Sequence, residues 1–302
     1  MGNYIPEFLK EKLITEYGES LASEILDGFT KRRKVTFRVN TLKSNKERVK
    51  EVLKNNNIEF EEVSWYEDAF IINNAQEADI QKLDIYEKGE IYLQSLSSML
   101  PPIILGPKEG MDILDMAAAP GGKTTQMAAL SSNKAHITAC EMNNVRIEKL
   151  KYNVEKQGAS CVYVMQKDSR QIDDFFSFDQ ILLDSPCSGS GTLDAENEKT
   201  GKYFTEVLIN KSTKAQYALL KKALKVLKRG QEMVYSTCSV LKEENEDIVR
   251  KVLKEMNAEI VPIDENLIKD LPILPVNLEG TLCVMPNELY EGFYVAKIRK
   301  LK

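Results

Sequence analysis

The sequence predicts an α/β protein in which a sheet of mainly parallel strands, wound with helices, follows a small amino-terminal α/β module. Three observations carry that prediction. From about residue 111 onward, apolar strand-like runs alternate with stretches of helical period. Polar residues recur at the ends of those runs. Ahead of residue 95, a shorter strand and helix pattern carries concentrated positive charge.

In chain order, VTFRVNTL (35–42) has the β-branched and aromatic content of a strand, 45–56 has helical period, and 58–64 and 69–73 are further strand candidates. Between Lys31 and Lys54 ten basic residues face only Glu47 and Glu51, a local +8. Charge of this kind belongs either to a solvated face or to a nucleic-acid contact. Further on, MDILDM, HITACE (136–141), CVYVMQ (161–166), FDQILLD (178–184) and QEMVYST (231–237) read as successive strands. A helix is expected from Val145 to Lys156, closed by Gly158. A longer one is expected over 211–228, where Leu219, Leu220, Ala223, Leu224 and Leu227 form one apolar face ringed by solvated lysines. GFYVAKI (292–298) reads as a last strand, reached by a short antiparallel return from TLCVMP.

Composition narrows the function. With 43% apolar and 29% charged residues the chain of 302 residues is a folded one, and a net charge of −5 gives no global support for nucleic-acid binding. No run is long and apolar enough to cross a bilayer, and MGNYIPEFLKEK lacks a signal-peptide core, so a cytoplasmic protein without a membrane partner is expected. Five cysteines and the single His136 contain no zinc spacing, and no metal site is expected. The same scarcity of imidazole weakens a Ser-His-Asp or Cys-His hydrolase.

Asp115, Glu141, Asp168, Asp184 and Cys238 each fall at or just past the carboxyl end of a predicted strand. In an open α/β sheet that edge is where ligands bind. The turn AAAPGGKTT, residues 117–125, lets backbone approach a ligand, and Glu141 follows Gly122 by 19 residues, where an acid can bond ribose hydroxyls. A nucleoside-containing cofactor is the consequence. Asp168 can bond an adenine amino group or simply cap a helix. A P-loop is missed by one residue, because Ala117 stands where its first glycine belongs, so a magnesium-dependent nucleotide hydrolase is the competing reading. It gives Glu141 and the cysteines no task. Cys140, Cys161 and Cys283 read as inert core thiols, whereas Cys187 in DSPCSGSG and Cys238 in YSTCSV sit in polar loops on the ligand edge, where a thiol of lowered pKa can act as a nucleophile.

Taken together these residues resemble the NSUN-type (Sun/Fmu) family of S-adenosylmethionine-dependent RNA cytosine-5 methyltransferases. The resemblance runs through FRVNTLKSN, YLQSLSSMLPP, LDMAAAPGGKTTQMA, Glu141 with Arg146, KDSR, DSPCSGSGTL, Gln216 with its following leucines, YSTCS with the EEN after it, and EGFYVAKI. Arg229-Gly230-Gln231 departs from the double glycine usual there, and MPNEL lacks the histidine often found ahead of the final strand.

The resemblance implies a Rossmann-like class I methyltransferase domain over 96–302 and an RNA-binding module over 1–95. It implies S-adenosyl-L-methionine held by Ala117, Ala118, Ala119, Pro120, Gly121, Gly122 and Lys123, with Glu141 and Arg146 near the ribose, Asp168 near the adenine, and Asp184 reaching both cofactor and base. Cys238 corresponds to the nucleophile, and Cys187 to the cysteine that assists product release. A nucleophile is needed because carbon 5 of cytosine is too electron-poor to take a methyl group until a thiolate has added to carbon 6. The partner is RNA, ribosomal or transfer, with its target base unstacked and Arg32, Arg33 and Lys34 among its phosphate contacts. No obligate protein partner is implied. A catalytically silent RNA-binding relative is disfavoured because both cysteines and Asp184 are present.

Overall fold

The computed structural model describes residues 4–301, so the first three residues of the amino-terminal stretch lie outside it. Before the catalytic sheet come α1 (Glu7–Gly28), β1 (Val35–Val39), α2 (Lys46–Asn55), β2 (Phe60–Val63), β3 (Tyr66–Ile72), the short α3 (Glu77–Ile80) and α4 (Asp84–Glu87), β4 (Ile91–Leu93) and α5 (Leu96–Leu105). The large sheet and its helices are β5 (Asp112–Asp115), α6 (Gly122–Leu130), β6 (His136–Glu141), α7 (Asn144–Gln157), β7 (Val162–Gln166), β8 (Phe178–Asp184), α8 (Glu198–Tyr203), α9 (Glu206–Val226), β9 (Leu227–Thr237), α10 (Glu246–Glu255), β10 (Ala258–Ile260), α11 (Glu265–Ile268), β11 (Ile273–Leu274), β12 (Leu282–Val284) and β13 (Phe293–Lys300).

Among the described residues the small sheet has the order β2-β3-β1-β4 and is antiparallel throughout. The large one has the order β11-β12-β13-β9-β8-β5-β6-β7, with β10 beside β13. Pairings among β5 to β9 are parallel, and β13 returns antiparallel to β9 and β12, as the short connection required. The chain moves outward from β5 through β6 to β7, then resumes at β8 on the other side of β5. That reversal opens a crevice at the carboxyl ends of β5 and β8, where Asp115 and Asp184 stand.

The two layers meet through β1. Its alternation sends Phe37 and Val39 into the small core with Val49 and Leu53, and turns Thr36 and Arg38 toward the large domain, where both are buried. Arg38 is wholly inaccessible: Nε donates to Gln94 Oε1 at 3.0 Å, and Nη2 donates to Thr125 Oγ1 at 2.8 Å and to the Gly122 carbonyl at 3.1 Å. It is a seam residue, not part of the exposed basic run.

Two elements differ from expectation. The sequence pattern predicts no helix over Glu7–Gly28, yet α1 exists and buries Leu9, Leu13, Ala22 and Ile25, with Phe29 just past its end, in the core of the large sheet. Each such side chain contributes roughly 1.5–3 kcal/mol by leaving water. The helix expected over 211–228 begins at Glu206, capped by Thr205, and stops at Val226, because Leu227 already pairs with Phe178 as the start of β9. His136, the single histidine, is exposed and lies 3.3 Å from Asp112. Among the described residues no helix is long and apolar enough to cross a membrane.

Candidate active site

The crevice opens into a cavity of about 750 Å³ lined by Asp115, Ala117–Pro120, Gly122, Lys123, Asp184 and Cys238 from the sheet edge, and by Arg32, Arg33, Lys34 and Tyr92 from the small layer. Glu141 and Asp168 stand at the neighbouring strand ends and Arg146 in the first turn of α7, outside that wall.

Local backbone explains the floor. After β5 the chain turns through AAAPG, and Gly121 takes φ +110° before α6 begins, a conformation that a side chain would strain. Asp115 is buried: Oδ2 accepts from Thr124 Oγ1 at 2.7 Å, while Oδ1 has no partner. Burial pushes its carboxyl up to about 6. Glu141, also buried, accepts from the Asn143 amide at 2.8 Å and pairs with Arg146 at 3.2 Å. The other arm of Arg146 donates to the Ala119 carbonyl at 2.7 Å, tying the first turn to the second strand. Asp168 caps the turn at 169–171 and chelates the Arg170 guanidinium, whose hydrogen bonds hold its carboxyl below the usual range. The capping role is thus present.

Lys123 is the residue the sequence placed least well. Its ammonium donates to Asp184 Oδ2 at 2.7 Å and to Ser98 Oγ at 2.8 Å, and lies 5.4 Å from the centre of the Phe293 ring. Burial pulls its pKa down, and the adjacent Asp184 more than offsets this. Asp184 Oδ1 accepts from Ser236 Oγ at 2.8 Å. Asp184 therefore acts as an acceptor here, with Lys123 supplying the proton-bearing group. A nucleotide hydrolase loses its P-loop lysine to this pair.

The two loop cysteines meet. Cys187 Sγ and Cys238 Sγ are 3.1 Å apart, both partly buried, and Cys238 faces the cavity. The loops holding them are interlocked. Gly191 donates to the Cys238 carbonyl at 3.0 Å, and a Cβ at Gly191 would meet the Gly292 carbonyl oxygen at 1.9 Å, so only glycine fits. The Cys187 thiol is pushed well up by its hydrogen bond to Cys238, by burial, and by the nearby charges. A lowered pKa was expected of both loop thiols; at Cys187 the direction is reversed. Cys140 and Cys283 are buried, as expected of core thiols, while Cys161 is half-buried.

The family model described as 16S rRNA methyltransferase RsmB/F matches residues 102–299, and that of the RsmF/B-like ferredoxin-like domain matches residues 5–79. The chain belongs to the RsmB/F methyltransferase family. It is 34% identical over 274 residues to the ribosomal RNA small subunit methyltransferase F of Shewanella sp. (strain ANA-3), covering 88% of this chain and 56% of that protein. The chain thus spans a little over half the length of such curated relatives. It is 33% identical to a tRNA (cytosine(49)-C(5))-methyltransferase of Pyrococcus abyssi, covering 99% of both. A methyltransferase homologue from Pyrococcus horikoshii superposes with a TM-score of 0.85 at 32% identity, covering 98% of this chain and 95% of that one. NSun6 from the same organism, solved with SFG, shares the fold with a TM-score of 0.88 at 24% identity, covering 99% of both.

Within this RsmB/F chain the +8 run largely dissolves. Lys46 pairs with Glu67, Lys50 with Glu62, and Arg48 with Glu90, while Lys43 donates to two backbone carbonyls. Arg32, Arg33 and Lys34 remain at the cavity mouth, with Arg33 Nε lacking a partner. Three of the five lysines of α9 are paired as well: Lys221 with Glu255, and Lys222 and Lys225 with Asp174. Sequence reasoning gave no role to Ser98 or Ser236, which hold Lys123 and Asp184. Their only sign was membership of the strings YLQSLSSM and YSTCS.

Proposed function

We propose that the protein methylates carbon 5 of a cytosine in RNA, with S-adenosylmethionine as donor and a transient bond from Cys238 to the base. The observation that carries this reading is the contact of Cys187 with Cys238, a thiol that lines the same cavity as the Lys123–Asp184 pair.

The residues present fit the cofactor. The first turn is tight enough that a Cβ at Gly122 would sit 3.1 Å from Tyr92, Asp115 offers an unpartnered buried oxygen, and Glu141 ends the adjacent strand. Ala117–Lys123 would form the cradle, Glu141 with Arg146 the ribose end, and Asp168 the adenine end. When bound, the cofactor supplies an electrophilic methyl group. The NSun6 relative was solved with SFG, an analogue of that cofactor. RNA as substrate is supported by relatives named for ribosomal and transfer RNA.

The chain's own residues then have distinct tasks. The Cys238 thiol gives its proton to solvent and its sulphur adds to carbon 6, and the displaced electron pair moves toward ring nitrogen 3, which takes a proton from the Lys123–Asp184 pair. Carbon 5 thereby becomes enamine-like. After methylation, the carbon-5 proton passes to water, the ring-nitrogen proton returns to the Lys123–Asp184 pair, and the sulphur is expelled from carbon 6. Cys187, which keeps its proton, donates to the departing sulphur. The base flips into the cavity beneath Arg32, Arg33 and Lys34, which take up backbone phosphates.

The test is a covalent trap. Incubated with target RNA and cofactor, Cys187→Ala should accumulate a protein–RNA adduct on denaturing gels, and Cys238→Ala should form none. An adduct mapped to Cys187 reverses the two roles.

A further inference from the structure

The EEN that follows YSTCS has no part in the scheme above, yet its second residue is among the most enclosed carboxylates in the molecule. Glu244 is fully buried, and its side chain accepts hydrogen bonds from both cysteine loops at once. Oε1 accepts from the Ser188 amide at 2.7 Å and from Gln216 Nε2 at 3.3 Å. Oε2 accepts from Ser188 Oγ at 2.5 Å and from Ser239 Oγ at 2.6 Å. Ser188 is the residue after Cys187, and Ser239 the residue after Cys238. Gln216 extends the arrangement by donating to the Pro186 carbonyl at 3.0 Å, and Tyr235 fixes Glu244 itself by donating to its backbone carbonyl at 2.7 Å.

We propose that Glu244 is the positioning residue of the two-cysteine site: one buried carboxylate, bonded to the neighbours of both cysteines, holds the thiols in contact. The inference rests on the two-cysteine reading above. A carboxylate suits this place better than an amide, because all four groups facing it are donors, two of them hydroxyls that can turn their protons toward it. Charge-assisted bonds of this kind are stronger than neutral ones, and the site is dry enough to keep them so. Burial pushes the Glu244 carboxyl up, while the serine hydrogen bonds pull it down. Its charge also helps keep the proton on Cys187. Ser190 completes the lock, with its hydroxyl 2.7 Å from that of Ser239.

The test needs two sulphurs in reach of one atom, and no RNA. Phenylarsine oxide condenses with two thiols and releases one water, so it binds tightly only where thiols are held together. Wild-type protein should take up one arsenic, mapped by mass spectrometry to Cys187 and Cys238. In Glu244→Ala the affinity should fall by about tenfold or more, since donors once paired are left unsatisfied. Glu244→Gln, which keeps the shape and lets the hydroxyls accept from its amide, should lie between, as should Ser239→Ala. Single-turnover methylation by these variants should follow the same order while RNA affinity stays constant. Undiminished arsenic affinity in Glu244→Ala overturns the proposal, and so does an equal loss of RNA affinity. If the arsenic series holds while the wild-type protein methylates no RNA, the positioning role stands and the proposed reaction falls.

Discussion

The proton of Cys187 is held by what lies beside it. Its contact with Cys238 is the largest influence on its proton, followed by burial and by the Glu244 charge, and all three raise its pKa. Removing Cys238 therefore lowers the pKa of Cys187, and each unit of fall gives about tenfold more thiolate below the pKa. At pH 8, Cys187 in Cys238→Ala should be alkylated by iodoacetamide at least severalfold faster than in the wild-type protein. An unchanged rate, followed by peptide mass spectrometry, means that the contact does not set where the proton resides. Lys123 teaches the converse lesson. A lysine after two glycines invites a phosphate, but a carboxylate 2.7 Å away has already claimed this one.

At the level of elements, the large sheet was legible because each strand is a buried apolar run ending in a polar residue. The pattern places Asp115, Asp184 and Cys238 on one edge, and the cavity joins them. Less of the rest could be read. In α1 the apolar spacing breaks at Gly18, where φ is +79° and the helix kinks, so Leu9 and Leu13 are out of step with Ala22 and Ile25. In α5, Pro101 and Pro102 disguise a helix that Ser95 caps. The run from Lys31 to Lys54 misled because its partners Glu62, Glu67 and Glu90 lie on other segments. What α1 does was also invisible: it grips the chain just past Cys238. Tyr17 donates to the Val240 carbonyl at 2.5 Å, Lys12 pairs with Glu243, and the Lys242 amide donates to Glu16 at 3.0 Å. Burial raises the Glu16 carboxyl from 4.5 to about 7, with the Lys242 amide and ammonium opposing and Glu243 and Glu246 assisting. An acid whose folded pKa is raised gives stability that is fully present below its ordinary value and is lost as pH rises through 7. Relative to wild type, Glu16→Gln should therefore gain about 3 kcal/mol between pH 4.5 and pH 8, read from urea midpoints. A gap that stays constant over that range shows that the carboxyl is not held from water.

Across the whole molecule, the small layer is a wall of the active cavity and not a separate appendage. Arg38 fastens that wall to the start of α6, and Tyr92 closes on Gly122, so the residues that would meet RNA and those that would cradle a cofactor share one rigid seam. The net charge of the whole chain is −5, yet Arg32, Arg33 and Lys34 form a local attractor at the mouth. Each phosphate neutralised on a single strand contributes about 0.7 to the slope of log affinity against log salt. Replacing all three with glutamine should therefore weaken RNA binding at low salt and flatten that slope by up to about 2, with donor affinity unchanged. Arg33 also donates to the Gly191 carbonyl in the Cys187 loop at 3.4 Å, so the pair Arg32→Gln, Lys34→Gln separates charge from loop support. It should flatten the slope by up to about 1.4 while the Cys187–Cys238 contact, probed with the arsenical, persists. If filter binding across a salt series gives the wild-type slope for the triple variant, the mouth of the cavity is not where the phosphates lie, and the basic triad has no part in RNA capture.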